Sequence, residues 1–306
     1  MDMSSILNQM VVLFCAMAIG YIACKARVIN AAFNQTLSRL ILHICMPGMI
    51  LASVMNVPHQ LSNAEVWVLL GISFGLHAFF ILVALGIPKL FRLGKSEGNL
   101  YRFLLIFSNV GFMGFPVVSA IFGPDAVFYA SIFNIPFNLL AFTLGVVLVA
   151  GKGVKLSLKK LLLSPGILVS VAALVIYLLD IPFPAFVRDT ADLLGQITTP
   201  GAMLVIGATL AAIPLKRAFT QWKLYPLLLL KLIVLPVLVW LILRPFITSE
   251  LTLGVTVVIA AMPCATNCTL FCNEYGGDAE LASIGVFLST LASVVTIPLL
   301  MFCLFA

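Results

Sequence analysis

Apolar residues run along this chain in long blocks, and polar residues gather in the short gaps between them. A helix that spans a bilayer needs about 20 predominantly apolar residues. On that pattern the spans are 5–24, 35–55, 65–88, 101–122, 126–150, 165–180, 186–213, 222–245, 249–274 and 279–304. The second and seventh are amphipathic and contain Pro47 and Pro200, and Leu161–Pro165 extends the short sixth.

Two blocks are interrupted at their middle. The fourth carries Ser108-Asn109-Val110-Gly111-Phe112-Met113-Gly114-Phe115-Pro116, and the ninth carries Ala261-Met262-Pro263-Cys264-Ala265-Thr266-Asn267. Lipid offers no partner to a backbone amide, so a broken helix at membrane depth must be buried by protein or meet a water-filled cavity. A pair of interrupted spans in corresponding halves of a chain points to the binding site of a transporter. The alternative is a pair of kinks that serve packing alone.

Charge orders the blocks. Of the seventeen Lys and Arg residues, fourteen fall on alternate connections: Lys25, Arg27 and Arg39; Lys89, Arg92, Lys95 and Arg102; Lys152, Lys155, Lys159 and Lys160; Lys216, Arg217 and Lys223. Basic loops stay in the cytoplasm, so both termini are expected outside, in a multi-pass cell-membrane protein of a bacterial inner or plasma membrane. These loops also account for the net charge of +6, and no nucleic-acid partner is expected.

The blocks repeat. Pro47-Gly48 recurs as Pro200-Gly201, and Phe122-Gly123-Pro124-Asp125-Ala126 is echoed by Tyr275-Gly276-Gly277-Asp278-Ala279, both at a spacing of 153 residues. A five-span unit is odd, so its second copy enters the membrane from the opposite side. The expected fold is an all-α polytopic membrane protein of ten transmembrane helices in two inverted repeats, 1–150 and 151–306. Composition leaves no room for a soluble domain: the 306 residues are 62% hydrophobic and 9% charged, against about 25% charged in soluble domains. No cleavable signal peptide is expected, because Met-Asp-Met-Ser-Ser lacks a basic start. All seven cysteines lie in or beside apolar blocks, which argues against a disulfide framework.

Asn109-x-Gly111-Phe112-x-Gly114-x-Pro116, Met262-Pro263-x-Ala265-x-Asn267 and the tail Glu274-Tyr275…Ala282-Ser283…Ser289-Thr290-Leu291 resemble the auxin efflux carrier family over essentially the whole chain. Its bacterial members are named malonate or malate permeases, and its plant members export auxin. The resemblance implies a fold like that of bile-acid symporters. There, scaffold and transport domains interleave helices from both repeats, and the broken fourth and ninth helices cross. It also leaves a homodimer open by analogy of fold. The chain lacks the plant carriers' long central loop, having only about 151–164, and it reads Ser-Asn-Val-Gly where they carry an Asn-Pro-Asn motif. Auxin as substrate is therefore not carried over.

The half-helix after each break begins near the midplane, and a helix N-terminus presents unpaired amides and roughly half a positive charge to an anion. Pro116 and Pro263 suit the first helical position, where a missing amide costs nothing. Asn109, Asn267 and Thr266 add uncharged donors and acceptors. The expected substrate-binding set is Asn109, Val110, Gly111, Gly114, Pro116, Pro263, Cys264, Ala265, Thr266, Asn267 and Asn134. Carbonyls ending the preceding half-helices could hold a cation or water.

Lys231, His43 and His77 are coupling candidates for H+ or Na+. Each also has a structural reading: Lys231 snorkels toward Lys223, and the histidines are satisfied side chains on apolar faces. Asn134 and Asn138 either line a cavity or bond across helices. Cys264, Cys268 and Cys272 share one helix face; close packing accounts for them better than a soft metal does.

The expected activity is secondary transport of a small carboxylate by alternating access within membrane lipid, with no cofactor or metal. The alternatives are a channel and an intramembrane enzyme acting on lipid. An enzyme would need a nucleophile–base pair or an acidic metal cluster. The close acidic groups, Asp189 with Asp192 and Glu274 with Asp278 and Glu280, have no His nearby in sequence. The chain carries no G-x-x-x-x-G-K-[ST] motif for ATP.

Overall fold

The computed structural model of the protein describes residues 3–55, 62–150, 165–213, 218–275 and 277–305. Lys152, Lys155, Lys159, Lys160, Lys216, Arg217 and Gly276 lie outside the described residues. Helices occupy every apolar block: α1 (Met3–Lys25), α2 (Ala31–Met55), α3 (Asn63–Leu90), α4 (Lys95–Ile106), α5 (Val110–Phe122) and α6 (Ala126–Ala150). They continue as α7 (Pro165–Leu179), α8 (Ala185–Ala211), α9 (Leu224–Leu243), α10 (Glu250–Ala261), α11 (Asn267–Tyr275) and α12 (Ala279–Phe305). Among the described residues, the six helices α2, α3, α6, α8, α9 and α12 are long and apolar enough to cross a membrane, and α5, α7, α10 and the Val11–Lys25 part of α1 are shorter apolar helices. This is an all-helical, multi-pass membrane architecture.

Short polar residues set the helix starts by accepting from first-turn amides that have no partner in their own helix. The Asn30 side chain accepts from the Phe33 amide at 2.8 Å, Ser249 from Thr252 at 3.3 Å and Asp278 from Leu281 at 2.9 Å. Ser62 and Glu65 form a reciprocal box at the start of α3: Glu65 takes the Ser62 amide at 2.7 Å and Ser62 takes the Glu65 amide at 3.3 Å.

Wide turns absorb three of the prolines inside the blocks. Residues Ile41–Cys45 of α2, Val110–Gly114 of α5 and Leu230–Val234 of α9 are π-helical. The Met46 amide reaches back five residues to the Ile41 carbonyl, and the Leu235 amide to Leu230. In each case a proline follows the wide turn by two residues: Pro47, Pro116 and Pro236. A proline ring presses on the carbonyl four residues back and brings no donor, and an opened turn makes room for it. Pro116 is the second residue of the α-helical stretch Phe115–Phe122, which continues from the π-helical turn. The helix begins at Val110, and Pro116 lies about a turn and a half inside it.

The described chain forms two compact units, each containing segments from before and after residue 150. The first comprises Met1–Leu70, Gly111–Ile135 and Leu162–Ala212. Its helices meet backbone to backbone. A Cβ added at Gly207 would fall on the Met17 carbonyl and one at Gly20 on the backbone of Leu204, which brings α1 flush against α8. A Cβ at Gly195 would lie 2.8 Å from the Met49 backbone, and one at Gly48 would lie 2.9 Å from the Ala191 carbonyl, which does the same for α2 and α8. In lipid the apolar side chains gain little by leaving their solvent, so helices associate through close contact of small residues.

The second unit comprises Gly71–Val110, Pro136–Leu161 and Ile213–Ala306. Aromatic rings fill its middle: Phe103 and Phe107 lie 4.6 Å apart by ring centroid, Phe107 meets Phe137 edge-on at 6.0 Å, and Phe271 meets Phe103 at 6.0 Å. These rings brace the end of α4 just before the first break.

We predict that Gly207→Leu melts earlier than wild type in detergent, by the roughly 1–3 kcal/mol typical of overpacking or more. Gly75→Ala, where nothing lies within 4 Å of the new methyl, should leave the melting temperature unchanged or raise it. Equal melting of Gly207→Leu and wild type would contradict the close approach of α1 and α8.

Candidate functional site

Both breaks lie in the second unit up to Val110, and they pair with one another. The chain leaves α4 at Phe107, whose φ of −98° and ψ of 111° are extended. It leaves α10 at Met262, also extended at φ −60° and ψ 145°, as the residue before a proline must be. Ser108 then faces Cys264 in an antiparallel bridge. The Asn109 amide donates to the Pro263 carbonyl at 2.8 Å, and the Ala265 amide donates to the Phe107 carbonyl at 2.9 Å. A third amide, of Cys264, donates to Ser289 Oγ of α12 at 3.0 Å. Two stretches too short to be strands in any larger sheet thus satisfy each other inside a helical protein, as apolar surroundings require. Pro263 sits in this extended stretch, four residues before α11 begins at Asn267. It does not occupy the first helical position.

Lys231 is fully buried, at 0% exposure. Its ammonium donates to the Leu105 carbonyl at 2.9 Å and to Ser108 Oγ at 3.2 Å, and it lies 5.8 Å from the centre of the Phe80 ring. The snorkelling alternative is excluded: the side chain runs into the unit, not out to an interface. The π-helical turn Leu230–Val234 presents it there. A central lysine costs about 2.5–3.5 kcal/mol on the insertion scale. Hydrogen bonds to a charged group return about 1.5–3 kcal/mol each, so two of them offset that cost.

His77 is also buried, at 4% exposure, and its Nδ1 lies 2.8 Å from the Ser73 carbonyl. A carbonyl only accepts, so Nδ1 carries the hydrogen. This is the satisfied histidine of the structural alternative, in the same unit as Lys231. His43 belongs to the first unit, where it is exposed and its Nδ1 bonds the Arg39 carbonyl at 2.9 Å.

Asn109 is 4% exposed, and its Nδ2 has no hydrogen-bond partner among the described residues. Successive side chains of an extended segment point to opposite faces, so Ser108 turns toward Lys231 and Asn109 turns the other way. Lys231 holds the face toward which Ser108 points, Ser289 takes the Cys264 amide, and the Asn109 amide is left without a partner. Thr266 and Asn267, which follow the paired residue Ala265, are half-buried at the start of α11. A helix start leaves its first amides without partners in its own helix.

The structure thus gathers Asn109, Val110, Pro263, Cys264, Ala265, Thr266, Asn267, Lys231 and His77 in one unit. Gly111, Gly114, Pro116, Asn134 and His43 belong to the other. Asn134 donates to the Gly166 carbonyl at 3.3 Å and to Ser170 Oγ at 3.4 Å, so it bonds α6 to α7 across helices. Cys268 and Cys272 lie one turn apart on α11 and are buried, whereas Cys264 is buried in the extended stretch before the helix and does not share its face; a Cβ on Gly277 would lie 2.9 Å from Cys272 Sγ. Ser108 and Ser289 were not singled out from sequence. Ser108 adjoins the break and Ser289 lies in the tail motif, but neither position shows locally what it will bond.

Residues 5–301 match the family described as membrane transport protein. The chain belongs to this family. It is a transporter, not an enzyme. It is 26% identical over 277 residues to a Rhizobium meliloti protein named "Putative malonate transporter", covering 87% of this chain and 85% of that protein. It is 25% identical over 291 residues to an uncharacterized transporter of Methanothermobacter thermautotrophicus and 23% identical over 294 residues to the uncharacterized transporter YfdV of Escherichia coli, with 92% of each chain covered.

Ser289→Ala in this transporter strands the Cys264 amide, which should destabilise the protein by about 1–3 kcal/mol, read as an earlier thermal melt. Ser289→Thr keeps the oxygen and should melt close to wild type. If the alanine variant melts with wild type, Ser289 is not what holds the second break.

Proposed function

We infer that the protein is a secondary transporter of small organic anions, carboxylates of the malonate or malate class, working by alternating access around the paired breaks. The observation that carries this is the unpartnered amide of Asn109, buried where α4 and α10 give way to paired extended backbone. A carboxylate accepts hydrogen bonds only, so it complements an amide donor and the N-terminal amides of α5 and α11. The positive charge of Lys231 beside the breaks favours an anion over a neutral solute. The name of the Rhizobium meliloti relative supports the same substrate class.

The proposed architecture is ten spans in two inverted repeats, 1–150 and 151–306, with α4–α5 and α10–α11 as the crossing broken spans and both termini outside a cell membrane. Proton or sodium coupling and a homodimer belong to the same proposal. In its support, both proposed crossing spans are interrupted at their middle: α4 ends at Ile106 and α5 begins at Val110, and α10 ends at Ala261 and α11 begins at Asn267.

Reconstituted protein should accumulate labelled malonate or malate in a saturable way and show counterflow, which a channel would not. Asn109→Ala and Asn267→Ala should each weaken carboxylate binding roughly 5- to 150-fold, the equivalent of about 1–3 kcal/mol, while melting without substrate changes less. Unchanged affinity in both would place the site elsewhere.

Orientation is tested in protein stripped of its native cysteines. A cysteine at Ser96 should label from the cytoplasmic side and one at Thr248 from the outside. Labelling of both from one side would overturn the inverted arrangement.

A further inference from the structure

Lys231 meets two oxygen acceptors and a ring face. A main-chain carbonyl lies 2.9 Å away, a hydroxyl oxygen 3.2 Å away and a ring face 5.8 Å away, within a site of 0% exposure. The carbonyl, that of Leu105, belongs to the last turn of α4, which ends at Ile106. Carbonyls of a last turn have no partner in their own helix, and together they carry roughly half a negative charge that favours a cation. The hydroxyl is that of Ser108, the residue bridged to Cys264. One ammonium therefore closes the end of α4 and fixes the first residue of the pairing between the breaks. No acidic side chain takes part: among the described residues the Lys231 hydrogen bonds go to these two oxygens, and the ion pair found is Lys223 with Glu97 at 3.3 Å.

We propose that Lys231 is a tethered cation occupying a cation site at the end of α4, and that it positions the paired breaks for transport without touching the substrate. The ammonium does the work that a free bound cation would do at a broken helix. Its tether, the π-helical turn of α9, keeps that cation in place through every transport cycle. Two properties follow. The charge has to come with N–H donors, because both oxygens accept. The charge does not have to be covalently attached, so a small alkylammonium of the right length can replace it. This inference concerns the cation site and holds whichever anion is carried.

The test is chemical rescue of Lys231→Ala. This variant removes a three-carbon stem and its ammonium, which n-propylammonium matches. Purified Lys231→Ala should melt below wild type, and n-propylammonium should raise its melting temperature by roughly 3 °C or more in a saturable way, as a ligand of the folded state does. Wild type, whose site is filled, should shift by less than about 1 °C. Propyltrimethylammonium, with the charge but no N–H, should not rescue.

In proteoliposomes, Lys231→Ala should lose at least about tenfold of the wild-type uptake rate, and n-propylammonium should restore much of it. Lys231→Met fills the space without the charge; it should fold, transport poorly and gain nothing from the amine. The proposal is overturned if n-propylammonium fails to raise the melting temperature of Lys231→Ala, or if Lys231→Met transports at the wild-type rate. The melting experiment contains no substrate. Rescue there together with no uptake of malonate or malate by wild type would sink the substrate reading and leave this one standing.

Discussion

A peptide group in a membrane has no solvent to fall back on, and the rest of this protein is arranged around that constraint. Along the unbroken helices it is met locally, four residues at a time. At the two breaks it cannot be, and the chain brings the breaks to each other. Asn109 donates to Pro263 and Ala265 donates to Phe107, so each interruption supplies the acceptor that the other lacks. The remaining groups are taken by side chains from further helices: Ser289 from α12 and Lys231 from α9. One buried amide, Nδ2 of Asn109, is left over. That leftover donor is the group on which the proposed substrate site rests.

Charged and uncharged groups at the pairing divide the labour. Lys231 is structural and charged, and no solvent reaches it. Asn109, Thr266 and Asn267 are polar and uncharged, close to helix starts. Separating charge from contact has a consequence for a carrier. A lysine gripping a carboxylate directly would form a strong, short pair and slow its release. In the proposed carrier, a lysine held by Leu105 and Ser108 would lend its field to the site while the contacts made and broken are neutral hydrogen bonds, each worth about 1 kcal/mol. The first unit is built on a different principle. There, Gly20, Gly48, Gly195 and Gly207 let helix backbones touch, which gives close packing of backbone on backbone.

The proline-bearing interruptions are of two kinds, and the difference is physical. Pro47, Pro116 and Pro236 each follow a π-helical turn that widens enough to pass the ring, so those helices continue. Pro263 follows Met262 in an extended conformation, and the helix stops until Asn267. An isolated rule, that proline favours the first position of a helix, predicted the same place for Pro116 and Pro263; Pro116 does stand at the start of the α-helical stretch Phe115–Phe122, behind a π-helical turn, and Pro263 does not begin a helix. The rule describes what a proline permits. Which option is used depends on whether another segment stands ready to pair with the freed backbone, and only the 263–265 stretch has 107–109 beside it.

Hydrophobic blocks, their breaks and the basic gaps between them are local properties, and the sequence by itself determined them. A run of about 20 apolar residues is a helix in lipid whatever surrounds it, and the described helices occupy the blocks read from the chain. Asn109 and Asn267 were legible as candidates for the same reason, since polar residues at a break stand out against an apolar background. The partners were not legible. Lys231 lies 126 residues from Leu105 and 123 from Ser108 in sequence, and Ser289 lies 25 from Cys264. Nothing local distinguishes a lysine that bends to the interface from one that runs inward to cap a broken helix, because the two differ only in which side of α9 faces the unit. That side is chosen by the packing of every helix at once, so the tertiary structure alone decided which groups the breaks would bond and which one amide they would leave open.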